Sequence, residues 1–212
     1  MTKTLVQKQI VFFFSKDYIN SFEDFSLRLK KIFGESKLSQ YIPVPADAPS
    51  EIPRLVLTYQ DYNINVSKSR IDFFVLNSSI DIKIFEVSKF LVDELSLKIG
   101  RLALVKNFFI EDNVSTIQNL LCEEKKSLLL KEITIRINEE KTIGEKKCNN
   151  IEILSNGIFE NKKTKEKKIG IVVNRDINTL LEELQSNSFT PETASQILKD
   201  FDVETEKLTL LK

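Results

Sequence analysis

The sequence predicts an α+β fold with mainly antiparallel sheets in two similar halves, followed by a C-terminal helical tail. Short runs of alternating apolar and polar residues recur along the chain, as expected of half-buried strands. Segments with helical spacing separate these runs. The succession of strand, helix, strands and helix occurs twice, which predicts an N-terminal half at residues 1–100 and a C-terminal half at 101–212. One continuous domain is the alternative.

The first half begins with a strand and a helix. Residues 4–14 are rich in Val, Ile and Phe, which favours a strand. In "NSFEDFSLRLKKIFG" the apolar residues recur at helical spacing, Ser21 can cap the helix and Gly34 can end it. Most of the prolines lie within 35–53 and predict an extended connector, whose role the sequence leaves open.

Three strands and a helix complete this half. The runs "RLVLTY", "YNINVS" and "RIDFFVL" alternate between apolar and polar residues, and short polar turns separate them. Near Phe85 the pattern changes from the spacing of a strand to that of a helix. We expect this helix to stop at Gly100, because glycine is common just past a helix end.

The second half repeats a similar order. The stretch "RLALVKNFFIED" predicts a strand, "NVSTIQNLLCEEKK" a short helix and "LLLKEITIRINEE" a further strand. Asn156-Gly157 lies between β-forming flanks and gives the strongest hairpin signal in the chain. Type I′ turns need positive φ at both central positions, which this pair tolerates best.

A strand and two helices end the chain. The stretch "IGIVVNRD" predicts the strand. Asn178 can cap a helix over "TLLEELQS", and Thr190 can cap a longer one in "SFTPETASQILKDF". A proline at the first helical position supports the second assignment.

The composition excludes several kinds of chemistry. The chain has no histidine, which removes Ser-His-Asp and Cys-His catalysis and histidine-based zinc sites. Its five glycines form no nucleotide-binding motif. Net charge is zero, so no field of the whole chain favours nucleic acid or an anionic membrane. We therefore predict a protein without a cofactor.

Cysteine usage and hydropathy predict the compartment. Cys122 and Cys148 are far apart in sequence and outside any CxxC motif, which favours free thiols in a reducing cytosol. No apolar run approaches the ~20 residues that a membrane helix needs. We predict a cytoplasmic protein that does not insert into a membrane.

A metal-dependent nuclease is one functional hypothesis. PD-(D/E)xK nucleases place an acid on one strand and a (D/E)-x-K triplet on the next, where two acids bind Mg²⁺ and the lysine orients water. Asp72 and Asp81 would be the metal ligands, and Lys83 would complete the catalytic set. The competing interpretation is an ordinary amphipathic strand, because the motif's leading proline is missing and Asp81 can cap a helix.

A basic loop is the second candidate site. The stretch "NKKTKEKK" concentrates five lysines that could contact the phosphates of a nucleic acid. These residues are Lys162, Lys163, Lys165, Lys167 and Lys168. Few aromatic residues accompany them, so base stacking has little support. The competing interpretation is a solvated loop that protects a strand edge.

A family resemblance covers most of the chain at the level of pattern. Pro53-Arg54 opens a strand, "YNINVSKSRIDF" forms a paired β segment, Arg101 follows the long helix, and "GIVVNRDIN" leads into the C-terminal helices. In these features the chain resembles the sporadically distributed family of uncharacterised bacterial proteins. It departs from that pattern in having no tryptophan and no apolar-proline opening. The resemblance implies an α+β fold, no established activity and a setting among mobile elements and host-defence loci.

Together these features favour a non-enzymatic binding or accessory protein, in the setting of bacterial antiviral defence or a mobile element. We expect its partner to be another protein or a second copy in a homo-oligomer, with nucleic acid as a weaker candidate. The alternative is the Mg²⁺-dependent nuclease. The sequence does not identify the partner, the oligomeric state or the pathway.

Overall fold

One antiparallel sheet dominates the protein. The computed structural model describes residues 3–18, 20–76, 82–112, 114–121, 132–160 and 165–211, without the side chains of 114 and 115. The sheet has nine strands in the order β2-β3-β4-β5-β1-β6-β9-β8-β7. The strands are β1 Lys3–Phe14, β2 Leu38–Tyr41, β3 Leu55–Thr58, β4 Tyr62–Val66, β5 Arg70–Val75, β6 Ile99–Glu111, β7 Thr134–Ile143, β8 Lys146–Glu160 and β9 Lys167–Thr179.

The predicted α+β class with mainly antiparallel pairing is confirmed, since each neighbouring pair of strands is antiparallel. The strands form one continuous sheet instead of several, because β1 pairs along most of its length with β6. The similarity of the two halves and the boundary at residue 100 stay predictions.

Four helices are present in the described part of the chain, and they include the predicted C-terminal helix. They are α1 Phe22–Phe33, α2 Ile84–Lys89, α3 Val114–Gln118 and α4 Pro191–Glu204. A π-helical turn, Phe90–Glu94, directly continues α2. The predicted caps of α1 and α4 are confirmed: Ser21 accepts a hydrogen bond from the Asp24 backbone, and Thr190 accepts one from the Thr193 backbone.

The core lies between the helices and one face of the sheet. Phe25 and Leu29 of α1 and Phe201 of α4 pack in one cluster with the odd-numbered residues of β5, such as Phe73. A smaller cluster, which includes Ile117 of α3, covers the outer part of β6, β8 and β9. Helices α1, α2, α3 and α4 therefore pack on the same face.

The opposite face carries no helix within the described residues, and we call it the helix-free face. Because side chains alternate along a strand, the residues between the core positions point to this face. Its central residues are Gln9, Val11, Phe13, Asn63, Asn65, Arg70, Asp72, Phe74, Arg101, Ala103, Val105, Asn107, Asn149, Asn174, Asp176 and Asn178.

Residues 205–211 follow α4, and we call them the C-terminal segment. This segment packs against the smaller cluster. Leu208, Leu210 and Leu211 pack against that cluster. The buried Glu152 carboxylate accepts backbone hydrogen bonds from Thr209 at 2.7 Å and Leu210 at 3.1 Å. Glu152 is itself paired with a buried arginine, so this segment is fixed to the sheet by a buried charge.

The hairpin prediction at Asn156-Gly157 is wrong. Both residues lie inside β8, where Gly157 faces Gly170 of β9. The Asn156 side-chain oxygen accepts a 2.7 Å hydrogen bond from the backbone N–H of Ile133, which lies just before β7. The two-residue turn instead begins at Gly144, whose φ of 59° is the left-handed conformation that glycine tolerates.

Two helix boundaries also differ from the prediction. Gly100 does not end the helix; the helical turns end at Glu94, and Gly100 lies in β6. A Cβ atom at Gly100 would lie 1.9 Å from the Leu184 carbonyl oxygen, so glycine allows residues 181–186 to approach the strand closely. Those residues form turns instead of the helix predicted after Asn178, which belongs to β9. None of the described helices is long and apolar enough to span a membrane.

Candidate binding face

A row of two arginines and a phenylalanine crosses the centre of the helix-free face. Phe13 of β1 is the register partner of Arg70 on β5 and of Arg101 on β6, so the three side chains lie side by side. The guanidinium carbons lie 5.7 Å and 4.7 Å from the Phe13 ring centroid for Arg70 and Arg101 respectively. These are cation–π distances, so the ring holds both cations in place. We call these residues the arginine row.

Arg101 is fixed by hydrogen bonds as well as by the ring. Its Nε donates to the Thr179 carbonyl at 2.9 Å, and one terminal nitrogen donates to Asn178 Oδ1 at 2.7 Å. Burial lowers the pKa of Arg101, Asp176 opposes that shift and the neighbouring Arg70 cation adds to it. The guanidinium stays charged, and the mutual repulsion of the two cations favours an anion between them.

A buried carboxylate borders the arginine row. Asp72 accepts hydrogen bonds from Gln9 Nε2 at 2.9 Å and from Arg70 Nε at 3.0 Å. Burial raises the pKa of Asp72, while Arg70 and Gln9 counteract part of that effect. Asp72 therefore holds the Arg70 side chain in a defined orientation.

Side-chain amides extend the polar surface across β6, β9 and β8. Asn178 donates to Asp176 Oδ1 at 2.9 Å and accepts from Asn149 at 3.2 Å. A second group joins Asn174 to Asn107 at 2.8 Å. Burial raises the pKa of Asp176, and the Asn178 bond opposes this shift. The amides are thus ordered before any partner binds.

Short apolar side chains lie beside the arginine row. Val11 and Ala103 occupy neighbouring positions on β1 and β6, and the same register line continues to Asp72 on β5 and Asn178 on β9. Both short residues are buried among their longer neighbours. This register line therefore has apolar residues at its centre and polar residues at its ends.

The residue types on this face argue against an ordinary solvent-facing sheet. Asn and Asp are depleted in strands, because their side chains compete with the backbone for hydrogen bonds. Eight such residues nevertheless occupy central positions of the helix-free face: Asn63, Asn65, Asp72, Asn107, Asn149, Asn174, Asp176 and Asn178. Violations of local preference concentrate at functional sites. We therefore take this face as the candidate site.

The nuclease residues are not brought together where the structure describes them. Asp72 lies on the helix-free face, whereas Lys83 precedes α2 on the opposite side and donates to the Ile32 carbonyl at 2.9 Å. Asp81 lies outside the described residues. Among the described residues no cluster of three acidic or cysteine side chains could hold a metal ion. The Mg²⁺ nuclease stays a prediction.

Each basic-loop lysine that the structure describes has an acidic neighbour. Lys165 and Lys167 lie 3.9 Å and 3.8 Å from Glu160, and Lys168 lies 2.8 Å from Glu111. These contacts reduce the local positive charge, and the Glu111 bond raises the pKa of Lys168. Lys162 and Lys163 lie outside the described residues. Nucleic-acid binding by this loop stays a prediction.

A cleft of about 440 Å³ on the helix side is less suited to a partner. It lies between the β7–β8 turn and α4. The Lys146 ammonium donates to Asn187 at 3.0 Å, and Asp200 accepts from Gln196 at 2.9 Å, so these two charged groups already have partners. Phe189 and Ile197 form a buried floor. The cleft is explained by packing of α4 on the hairpin.

Sequence reasoning missed the arginine row and the amides around it. Arg70, Phe13 and Arg101 lie on three strands and 31 to 88 positions apart, so no local motif joins them. The recurrent asparagines at polar strand positions were the available signal. No family model, curated protein or solved structure matches the chain, so the functional assignment rests on this geometry.

Proposed function

We propose that the chain is a non-enzymatic binding protein that binds another protein through its helix-free face. The observation that carries this proposal is the arginine row, Arg70–Phe13–Arg101, set in a sheet face of ordered amides. Arginine and aromatic residues supply much of the binding energy in protein interfaces. Asparagine offers both a donor and an acceptor, which suits the amides and backbone of another polypeptide.

The charge of the face supports a protein partner over nucleic acid. Arg70 is balanced by Asp72, and Arg101 lies near Asp176. Binding of a phosphate backbone depends on an excess of positive charge, and the net charge of the whole chain is zero. A balanced face that is rich in amides suits a polar protein surface.

The pair of guanidiniums supports a specific contact with the partner. Two cations on one ring repel each other, and a carboxylate between them would relieve this repulsion. Arginine binds carboxylates through two parallel hydrogen bonds, and the Arg70 side chain is partly exposed. We therefore expect the partner to place an acidic side chain over Phe13.

The similarity of the two halves is part of the same proposal. Outwards from the central pair, the strand order is β1-β5-β4-β3-β2 on one side and β6-β9-β8-β7 on the other, so the first four strands of each side correspond and β2 is an addition to the first side. Helices α1 and α3 follow β1 and β6, and helices α2 and α4 follow β5 and β9. This correspondence supports two related halves with an approximate two-fold axis between β1 and β6, and the arginine row crosses that central pair.

We place the protein in the cytosol, as an accessory component of a defence or mobile-element system. The buried free thiol of Cys148 is compatible with a reducing compartment. The biological setting rests on the sequence resemblance alone. Expression of the chain with its chromosomal neighbours, followed by a phage-plating assay with and without this chain, would test that setting.

Native mass spectrometry of the tagged protein, gently isolated from its own host, tests the binding function. We expect a stoichiometric protein partner that Arg70→Ala and Arg101→Ala each weaken at least tenfold. Arg28→Ala is the matched control, because Arg28 forms an exposed ion pair with Glu94 on the helix side. A partner retained by both arginine variants, or bound nucleic acid in place of a protein, would contradict the proposal.

A further inference from the structure

The outer edge of β7 is unpaired in the described part of the chain. β7 runs for ten residues, Thr134–Ile143, and ends the sheet. Its inner edge pairs with β8 along its whole length. A strand of this length presents a row of free backbone donors and acceptors, which can pair with another strand.

The hydrogen bonds to β8 define which β7 residues have outward backbone groups. Ile133, just before β7, accepts from the Asn156 backbone at 3.3 Å, so its carbonyl points inwards to β8. In antiparallel pairing this orientation alternates along the strand. The odd residues therefore face β8, and the even residues from Thr134 to Thr142 present their N–H and C=O groups outwards.

We propose that two copies of the chain associate through β7, antiparallel, about a two-fold axis at Asn138. This register pairs each even residue with an even residue, so the outward backbone groups meet. It gives five facing pairs with two bonds each, roughly ten interchain hydrogen bonds. The two nine-stranded sheets then form one continuous sheet.

Charge selects this register over its neighbours. With the axis at Asn138, Arg136 lies directly opposite Glu140 of the partner subunit, and the pair occurs twice. An axis at residue 136 or at residue 140 would place like charges opposite each other, which is destabilising. A two-fold axis at Ile137 would place Arg136 opposite Asn138 of the partner subunit, and both Arg136–Glu140 ion pairs would be lost. Only the Asn138 register combines the full strand length with opposite charges.

The neighbouring acidic side chain does not oppose the pairing. Glu139 lies on the helix side of β7, and Asn150 of β8 donates to its carboxylate at 2.7 Å. This bond draws Glu139 back towards its own sheet. Glu140 also has an ion pair within its own chain, with Lys147 at 3.0 Å, so Lys147 and Arg136 of the partner subunit would share its carboxylate.

Sedimentation equilibrium with charge-reversal variants tests the proposal. We expect the wild-type mass to be twice 24.5 kDa at high concentration. Arg136→Glu and Glu140→Arg should each weaken dimerisation at least tenfold, because each places like charges opposite each other. The double variant Arg136→Glu/Glu140→Arg should restore the dimer, because the opposite charges then face each other in exchanged positions.

A backbone variant tests the same edge without charge. Asn138→Pro removes an outward N–H and leaves the β8 bonds intact, so it should give a monomer with an unchanged circular dichroism spectrum. Asn138→Ala keeps the N–H and should remain a dimer.

The proposal is overturned by a wild-type monomer at every concentration, by a dimer that survives the single charge reversals, or by a double variant that stays monomeric. Arg70 and Arg101 lie away from β7, so loss of partner binding and loss of dimerisation are separable.

Discussion

At Gly170, the backbone of β9 lies close to residues of β6. A Cβ atom there would lie 2.2 Å from the Ile110 carbonyl oxygen and 2.5 Å from the Phe109 ring. The Phe109 ring also stacks with Phe159 at 5.2 Å between centroids, so it has little freedom to move away. The absence of a side chain at Gly170 allows the aromatic ring to cover the strand.

Substitution of Gly170 should therefore destabilise the fold. We expect Gly170→Ala to lower the free energy of unfolding by about 1–3 kcal/mol, the usual cost of overpacking. Gly157→Ala on the facing strand is the control, because its new Cβ would meet only the Val172 side chain, at 2.8 Å, which can adjust. Urea denaturation measures both variants. Equal stabilities of Gly170→Ala and the wild type would refute this account of the contact.

Cys148 should behave as an inert, buried thiol. Burial raises the pKa of Cys148 to about 12, with Glu183 adding to the shift. In a Cys122→Ser variant, iodoacetamide at pH 8 should label the native protein far more slowly than the protein in urea. Above pH ~9 the unfolded thiol ionises while the folded thiol stays protonated, so this group should lower stability as pH rises. Native labelling as fast as in urea would disprove the burial.

At the scale of elements, a buried ion pair connects β8, β9 and the C-terminal segment. Arg175 donates to Glu152 at 2.7 Å and to Asn150 at 2.8 Å, and both charged side chains are almost fully buried. Glu152 also receives the two backbone N–H groups of the C-terminal segment. One carboxylate therefore compensates a buried cation and fixes the end of the chain.

Removal of that carboxylate should be costly. We expect Glu152→Ala to lower the free energy of unfolding by about 3–5 kcal/mol, because Arg175 would remain buried without a counter-ion. Glu160→Ala removes an exposed partner of Lys165 and Lys167 and should change stability by less than about 0.5 kcal/mol. Chemical denaturation distinguishes the two, and similar small effects of both substitutions would contradict the role of Glu152.

Two acidic residues, Asp202 near the end of α4 and Glu206 in the C-terminal segment, make the attachment of α4 sensitive to pH. Burial alone would raise the pKa of Asp202 and of Glu206, but contacts with Lys8, Lys106 and Lys3 hold both below their ordinary values. Groups with a lowered folded pKa stabilise the fold above their unfolded pKa and lose that contribution as pH falls. The attachment of α4 to the sheet should therefore weaken below pH ~4.5.

Local patterns predicted most elements, and the exceptions have a common cause. Ser21 and Thr190 were recognisable because a cap acts within one helical turn. Gly100 and Gly157 were misassigned because each glycine serves a contact with a distant segment, and not a turn or a helix end. The sequence around a glycine does not reveal whether the glycine serves a turn, a helix end or a close contact with a distant segment.

At the scale of the whole molecule, the sheet has two chemically different faces. The helix side buries Phe12, Leu104 and their neighbours, whereas the helix-free face carries the arginine row and the amides. Alternation in the sequence predicted which residues share a face of each strand. It did not predict the strand order, because the pairing of β1 with β6 joins residues about a hundred positions apart. Without the strand order, the polar residues of each strand predicted only an ordinary solvent-exposed sheet surface.

Site-specific photo-crosslinking in the native host tests the central claim most directly. A photoreactive amino acid is placed at Phe74, which is half-buried on the helix-free face beside Gln9, or at Leu27, which is exposed on α1. The account predicts a covalent adduct with a single partner protein from position 74 and none from position 27. Adducts from position 27 alone, or no adduct from position 74, would contradict a protein-binding role for the helix-free face.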